Sequence, residues 1–250
     1  MGLLVPPLGR RLAVVVHGDK WLTSKHGSHV DWVRLSDVVH CTVLHAVMTA
    51  YVAIVLRDEM VGWYQEPSQW WAFMQPALSE SLRIYYLLEL GVTCEASVSM
   101  LRNVMSGRAK DLPMMIHHAA TLFVFLSAYR FGFVRVGAAV VALHDASDLP
   151  IDGIRIAQAL EIEPLLYVSA ASAVLSWAYM RAYCFPRYII SSAIMCTGHI
   201  WHIYDFVGDA FIYCGYAIYI IPLVMLWLLS CHWLRQLVAK LRLAIAVCHK

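Results

Sequence analysis

The sequence predicts an all-α integral membrane protein, a bundle of about six transmembrane helices enclosing a polar-lined cavity. Three observations carry that prediction. Of 250 residues, 60% are apolar and only 14% charged, against roughly 45–50% and about 25% in soluble domains. Apolar stretches close to the ~20 residues that a spanning helix needs recur along the chain. Histidines and aspartates lie inside two of those stretches, where charge is costly and therefore has to be enclosed by neighbouring helices. Nucleic-acid binding is excluded as a class, because 19 Lys+Arg against 17 Asp+Glu leaves a charge of only +2 with no basic run. The 7 cysteines show no CxxC pair and no metal spacing, so they read as small membrane-core residues.

Residues 1–37 form a cytosolic N-terminal segment in this reading. Pro6 stands where a myristoylation signal needs Ser or Thr, and the apolar run Leu12 to Val16 is too short for a signal-peptide core. The terminal Val-Cys-His-Lys is no prenylation box. A transmembrane domain over 38–235 follows, then a cytosolic tail over 236–250. Six span cores fall at 38–56, 82–101, 114–130, 134–149, 164–183 and 208–234. Residues 187–207 carry His199, His202 and Asp205 behind Pro186, and are read as an unspanning or kinked continuation. Six spans place 13 Lys and Arg on the side of both termini and 6 on the other, which sets the termini in the cytosol. A seventh span would erase the asymmetry. Trp63, Tyr64, Trp70 and Trp71 suit an interfacial aromatic belt on the far side. The chain has no internal repeat.

The third span opens at Pro113 and carries His117 and His118 about 6–8 Å further along, with Thr121 beyond them. The fourth span returns from near Arg135 and reaches His144, Asp145, Ser147 and Asp148 about 14–20 Å along its axis. In a core about 30 Å thick, the histidine pair and the aspartate pair then share one depth near the cytosolic side. Asp145 and Asp148 share a helix face at i,i+3, as do His144 and Asp148 at i,i+4, whereas His117 and His118 point about 100° apart. A carboxylate that accepts from one imidazole nitrogen fixes the tautomer and raises the basicity of the other, as base or nucleophile chemistry requires. The bland alternative is a set of buried polar groups that merely tie helices together. A metal site is allowed by ligand type, but adjacent histidines chelate poorly from one regular helix, and no metal is expected.

The stretch 107–155 contains Lys110-Asp111, His117-His118-x-x-Thr121, Arg135-x-Gly137 and Leu143-His144-Asp145-x-Ser147-Asp148. It resembles the Lag motif of the TLC-domain family, and within that family the ceramide synthases. A looser likeness runs from about 60 to 235, through Tyr85, Tyr86 and Glu89 upstream and Arg181 to Pro186 and Leu226-Trp227 downstream. Gly132 stands where the family has Asn, Asp152 where it has Glu, and Arg155 where it has Lys. Pro150 lies inside the fourth helix, where a kink is expected. Without the additional N-terminal span and homeobox-like insert of many animal members, the chain resembles a minimal domain of this kind.

The resemblance implies acyl-CoA-dependent N-acylation of a sphingoid base in the endoplasmic reticulum membrane, with acyl-CoA as co-substrate and no bound cofactor. It implies that His117 or His118 attacks the thioester or takes the amine proton, while Asp145 and Asp148 orient imidazole and hold the substrate ammonium. Thr121, Arg135, His144, Ser147 and Glu89 complete the expected substrate-binding set. Arg108 and Lys110 at the cytosolic entry, beside Arg102, are the candidates for CoA phosphates, with topology-setting charge as their plainer role. Glu95 is a helix-pairing group by the same reasoning. Membrane lipids are expected partners, and a homo-oligomer stays open. Two other functions compete: a non-enzymatic TLC-domain protein that senses or regulates lipids, and a small transporter in which His and Asp form a proton relay.

Overall fold

A computed structural model describes residues 5–17, 31–66, 70–71, 78–107, 111–130, 132–195 and 209–248. Among the described residues all regular structure is helical: α1 (Val5–His17), α2 (Trp32–Ile54), α3 (Arg57–Gln65), α4 (Glu80–Met105), α5 (Leu112–Arg130), α6 (Val134–Ala159), α7 (Glu163–Ser176), a π-helical segment (Trp177–Ile190), α8 (Ser191–Met195) and α9 (Asp209–Cys248). Four stretches are long and apolar enough to cross a membrane: α2, α4, α5 and Tyr219–Leu243 of α9. They match four of the six expected cores, and about six is therefore an approximate count. Residues 134–149 lie in α6, whose hydropathy is lowered by Arg135, Asp145 and Asp148. Residues 164–183 split between the 14-residue α7 and the π-helical segment, so neither is a regular span. Of 187–207, residues 187–195 continue the helix, while His199, His202 and Asp205 lie outside the described residues.

The chain divides into two compact units, with α2, α6 and α9 each contributing to both. The first comprises residues 1–49, 145–176 and 238–250. Its apolar core is Ala13, Leu35, Val39 and Leu160, with Leu12, Trp32, Ile156, Ala159 and Ile162 packed on it. Asp31 starts α2 by accepting from the amides of Val33 (3.1 Å) and Arg34 (3.0 Å), an N-cap that satisfies two otherwise orphaned donors. His17 closes α1 onto the α6–α7 turn through the Leu160 carbonyl (2.6 Å). In the same unit Gly153 lets α6 and α7 approach closely, since a Cβ there would lie 2.6 Å from Ser169 Oγ.

The second unit comprises residues 50–144 and 177–237. Ser79 caps α4 by accepting from the Leu82 amide (3.1 Å), and its hydroxyl donates to Glu59 (2.6 Å). Tyr86 on α4 is buried, and its hydroxyl donates to the Phe125 carbonyl of α5 (2.8 Å). That bond pins the Tyr86 ring against Gly137 of α6, where a Cβ would lie 2.8 Å from ring atoms. Small residues at such crossings are how membrane helices gain dispersion contacts. Trp70 and Trp71, expected in an interfacial belt, are instead 1% exposed. Trp71 donates to Ser192 (3.0 Å) and packs on the rings of Phe133 (5.5 Å) and Tyr219 (5.9 Å), so its polar edge is satisfied inside the protein.

The Tyr86 tether and the Gly137 contact should be energetically coupled. Gly137→Ala is expected to cost about 1–3 kcal/mol by overpacking, and Tyr86→Phe about 0.5–1.5 kcal/mol through the lost hydrogen bond. The double variant should cost less than the two together, because an untethered ring can move aside. Thermal unfolding in detergent measures all three, and strict additivity would contradict the contact.

Candidate functional site

The second unit gathers imidazoles. His117 and His118 on α5 have ring centroids 5.7 Å apart, and His117 also lies 6.2 Å from His144 of α6 and 5.4 Å from Trp233 of α9. Three histidines thus converge from two helices, and Trp233 together with Trp177 (6.3 Å between their rings) and Phe185 (5.6 Å from His144) forms an aromatic wall. His144 Nδ1 donates to the carbonyl of Val140 one turn back on its own helix (2.7 Å). In the neutral ring that bond leaves the lone pair on Nε2, so the tautomer is set by backbone geometry.

Arg181 supports this group. It is 3% exposed, its guanidinium stacks 4.0 Å over the Trp177 ring, and Nη2 donates to the His144 carbonyl (3.1 Å). The π-helical segment carries it. Such widened turns are rare and are found mostly where function re-aims side chains. Thr121 Oγ1, one turn beyond His117 on α5, is buried with no hydrogen-bond partner among the described residues. Glu89 on α4 is 4% exposed, whereas Glu95 is at the surface. Arg135 sits in the first turn of α6, nine residues before His144 and roughly 13 Å along the axis. The structure does not bring it to the imidazoles.

The first unit gathers carboxylates. On α6, Asp145, Asp148 and Asp152 follow at i, i+3 and i+7, spacings that keep them on one face. Asp145 is 8% exposed, Asp152 1%, and Ser147 fully buried. Asp152 accepts from His45 Nδ1 of α2 (2.7 Å) with one oxygen and from Arg155 (3.3 Å) with the other. Asp145 and Asp148 are near enough for their charge to act on His45 as well. Arg108 and Lys110 lie outside the described residues. Among the described residues, no group of three or more His, Cys, Asp or Glu side chains is placed to share one metal ion.

Three of these groups were not singled out from the sequence as site residues. His45 lies inside the first span core, so the cost of ionisable side chains at membrane depth was the signal that would have found it. Arg181 stood only among the flanking residues. Trp233 gave no signal, because an aromatic residue on an apolar helix is ordinary.

A family model described as TLC domain matches residues 34–239. The chain belongs to the TLC-domain family. The match takes in α2 to most of α9 and includes every described residue of the imidazole and carboxylate groups. This TLC-domain protein is 26% identical over 163 residues to ASC1-like protein 3 of Oryza sativa subsp. japonica, covering 64% of this chain and 56% of that protein. It is 27% identical over 176 residues to ceramide synthase 4 of Mus musculus, covering 69% and 41% respectively. With ceramide synthase LOH2 of Arabidopsis thaliana it shares 33% identity over 114 residues, 45% of this chain and 38% of that one. The chain thus spans about half the length of these relatives or less, and within its family it is similar to ceramide synthases.

The Arg181 contacts should be worth more than a surface charge. Arg181→Ala removes a charged donor and a cation–π contact, and is expected to cost about 1.5–3 kcal/mol of stability. Arg181→Lys should recover only part of it, because an ammonium lacks the planar face that stacks on Trp177. Thermal melts followed by tryptophan fluorescence check both, and a Lys variant as stable as the parent would contradict the stacking argument.

Proposed function

We propose that this protein is a sphingoid base N-acyltransferase that moves a long acyl chain from acyl-CoA to a sphingoid amine. The observation that carries the proposal is the convergence of His117, His118 and His144, with Trp233 against His117 and Phe185 against His144, in a chain with ceramide-synthase-like relatives. In the reaction the thioester C–S bond breaks, the amide C–N bond forms, coenzyme A leaves as its thiol, and the amine gives up a proton.

One of His117 and His118 takes the acyl carbon as nucleophile or the amine proton as base. Imidazole suits either role near neutral pH. Asp145 and Asp148 act as the anions that hold the sphingoid ammonium and orient an imidazole. His144, with Nδ1 committed to its own helix, lines the site rather than turning over protons through that atom. Thr121 supplies a hydroxyl to the reacting region, and Ser147 and Glu89 complete the polar lining. Arg108 and Lys110 meet CoA phosphates at the cytosolic entry, and Arg135 acts at the opposite end of α6. No bound cofactor takes part. The protein works as a multi-pass protein of the endoplasmic reticulum membrane with its termini in the cytosol, where acyl-CoA is available.

The purified protein, given a long-chain acyl-CoA and a sphingoid base, should release free thiol and form the amide in equal amounts. His117→Ala and His118→Ala should each lower turnover by about a hundredfold or more, with Asp145→Asn and Asp148→Asn weakening the base substrate's KM. Full turnover in the double histidine variant would overturn the assignment. Absence of thiol release from well-folded protein would favour a lipid-sensing TLC-domain protein instead.

A further inference from the structure

The second unit contains a cavity of about 290 Å³ that the imidazole chemistry does not use. Leu78, Arg83, Tyr86, Tyr129, Gly132 and Val134 line it. Leu78 and Arg83 flank the start of α4, Tyr129 is the penultimate residue of α5, and Gly132 and Val134 lead into α6. Because α4 and α5 are both spanning helices, a cavity at their adjoining ends lies at the level of lipid headgroups rather than hydrocarbon. Arg83 is exposed there and makes no ion pair or side-chain hydrogen bond among the described residues.

We propose that this cavity binds the phosphate of an anionic glycerophospholipid. The Arg83 guanidinium presents a planar fork of donors that matches phosphate oxygens two at a time. Tyr129, a lining residue, is 51% exposed and its ring stacks on Tyr86 at 6.1 Å. The Tyr86 hydroxyl is already spent on the Phe125 carbonyl, so Tyr86 offers only ring surface. That ring, with Leu78 and Val134, gives an apolar wall for the glycerol and the start of the acyl chains. Gly132 adopts φ 79°, a left-handed turn that adds no side chain to the rim. The charge around these helix ends favours an anion: Arg83, Arg130 and Arg135 stand there against Glu59 and Glu80, and Glu59 already accepts from Ser79. A sphingoid cation would be repelled. The apolar wall distinguishes a lipid from a free phosphate ion.

The full chain is reconstituted in phosphatidylcholine nanodiscs with and without phosphatidic acid, and retained lipid is counted by native mass spectrometry alongside the melting temperature. Phosphatidic acid should be retained and should raise the melting temperature, whereas soluble glycerol phosphate should do neither. Arg83→Gln should weaken retention about tenfold, equivalent to ~1.4 kcal/mol. Leu78→Trp, which fills the cavity and leaves the guanidinium in place, should weaken it similarly, and Arg57→Gln on α3 should leave it unchanged. Equal retention in Arg83→Gln and the parent would overturn the proposal, as would an equal loss in Arg57→Gln. Stabilisation by glycerol phosphate alone would overturn the lipid assignment. Neither the acyltransfer assay nor its histidine variants bear on this result, so the two readings fail separately.

Discussion

The constraint on which the architecture depends is that polar and ionisable side chains at membrane depth cannot face hydrocarbon. α6 carries most of that burden, with His144, Asp145, Ser147, Asp148 and Asp152 within nine residues. The consequence is visible in exposure. α2, α4, α5 and α9 present large apolar side chains outward, among them Val47, Leu88, Phe123 and Leu228, whereas α6 presents none. In the second unit Val136, Ala138, Ala139, Val140, Val141 and Leu143 of α6 are buried, and in the first unit Asp145, Ser147 and Asp152 are. The apolar helices supply the lipid-facing surface, and the helix that carries the histidine and aspartate cluster keeps its large apolar side chains inside.

Enclosure requires close approach, and the small residues along α6 permit it. Gly137 admits the Tyr86 ring and Gly153 admits Ser169, each closer than a Cβ could lie without the neighbouring side chain shifting. Hydrogen bonds then hold the crossings in register: Tyr86 to the Phe125 carbonyl, Arg181 to the His144 carbonyl, and His45 to Asp152. Each joins sequence-distant helices through a polar group that would otherwise be orphaned in a dry interior. In a bilayer, where burial of apolar surface does not itself drive helix association, such contacts and dispersion have to do so.

This division explains which parts of the protein were legible in its sequence. Composition and span-length apolar runs determine that the chain is helical and membrane-embedded, and the HHxxT and LHDxSD patterns name the residues of the family motif. What those patterns do not contain is the rotational setting of each helix. A position between two span cores, where Trp70 and Trp71 fall, is equally compatible with a belt and with a buried cluster, and the hydrogen bond of Trp71 to Ser192, 121 residues away, decides it. The same holds for Arg181, which from sequence stood only in the flanking likeness and is found stacked on Trp177. The fifth expected core, 164–183, falls across the junction of α7 and the π-helical segment. Hydropathy averages over residues 164–183 but is blind to the change from α to π winding at Trp177.

Asp152 and Arg155 show how a buried acid on α6 is accommodated. The Asp152 carboxylate is only 1% exposed. A buried carboxylate needs its lone pairs satisfied. Arg155 reaches back one turn to one oxygen at 3.3 Å while remaining 54% exposed. The other oxygen is met at 2.7 Å by His45, brought in by α2. The buried acid is therefore satisfied by partners from its own helix and from a neighbour. His45 is thereby fixed by its Nδ1, with Nε2 left to face away from Asp152. The pair is as much a property of α2 as of the motif on α6.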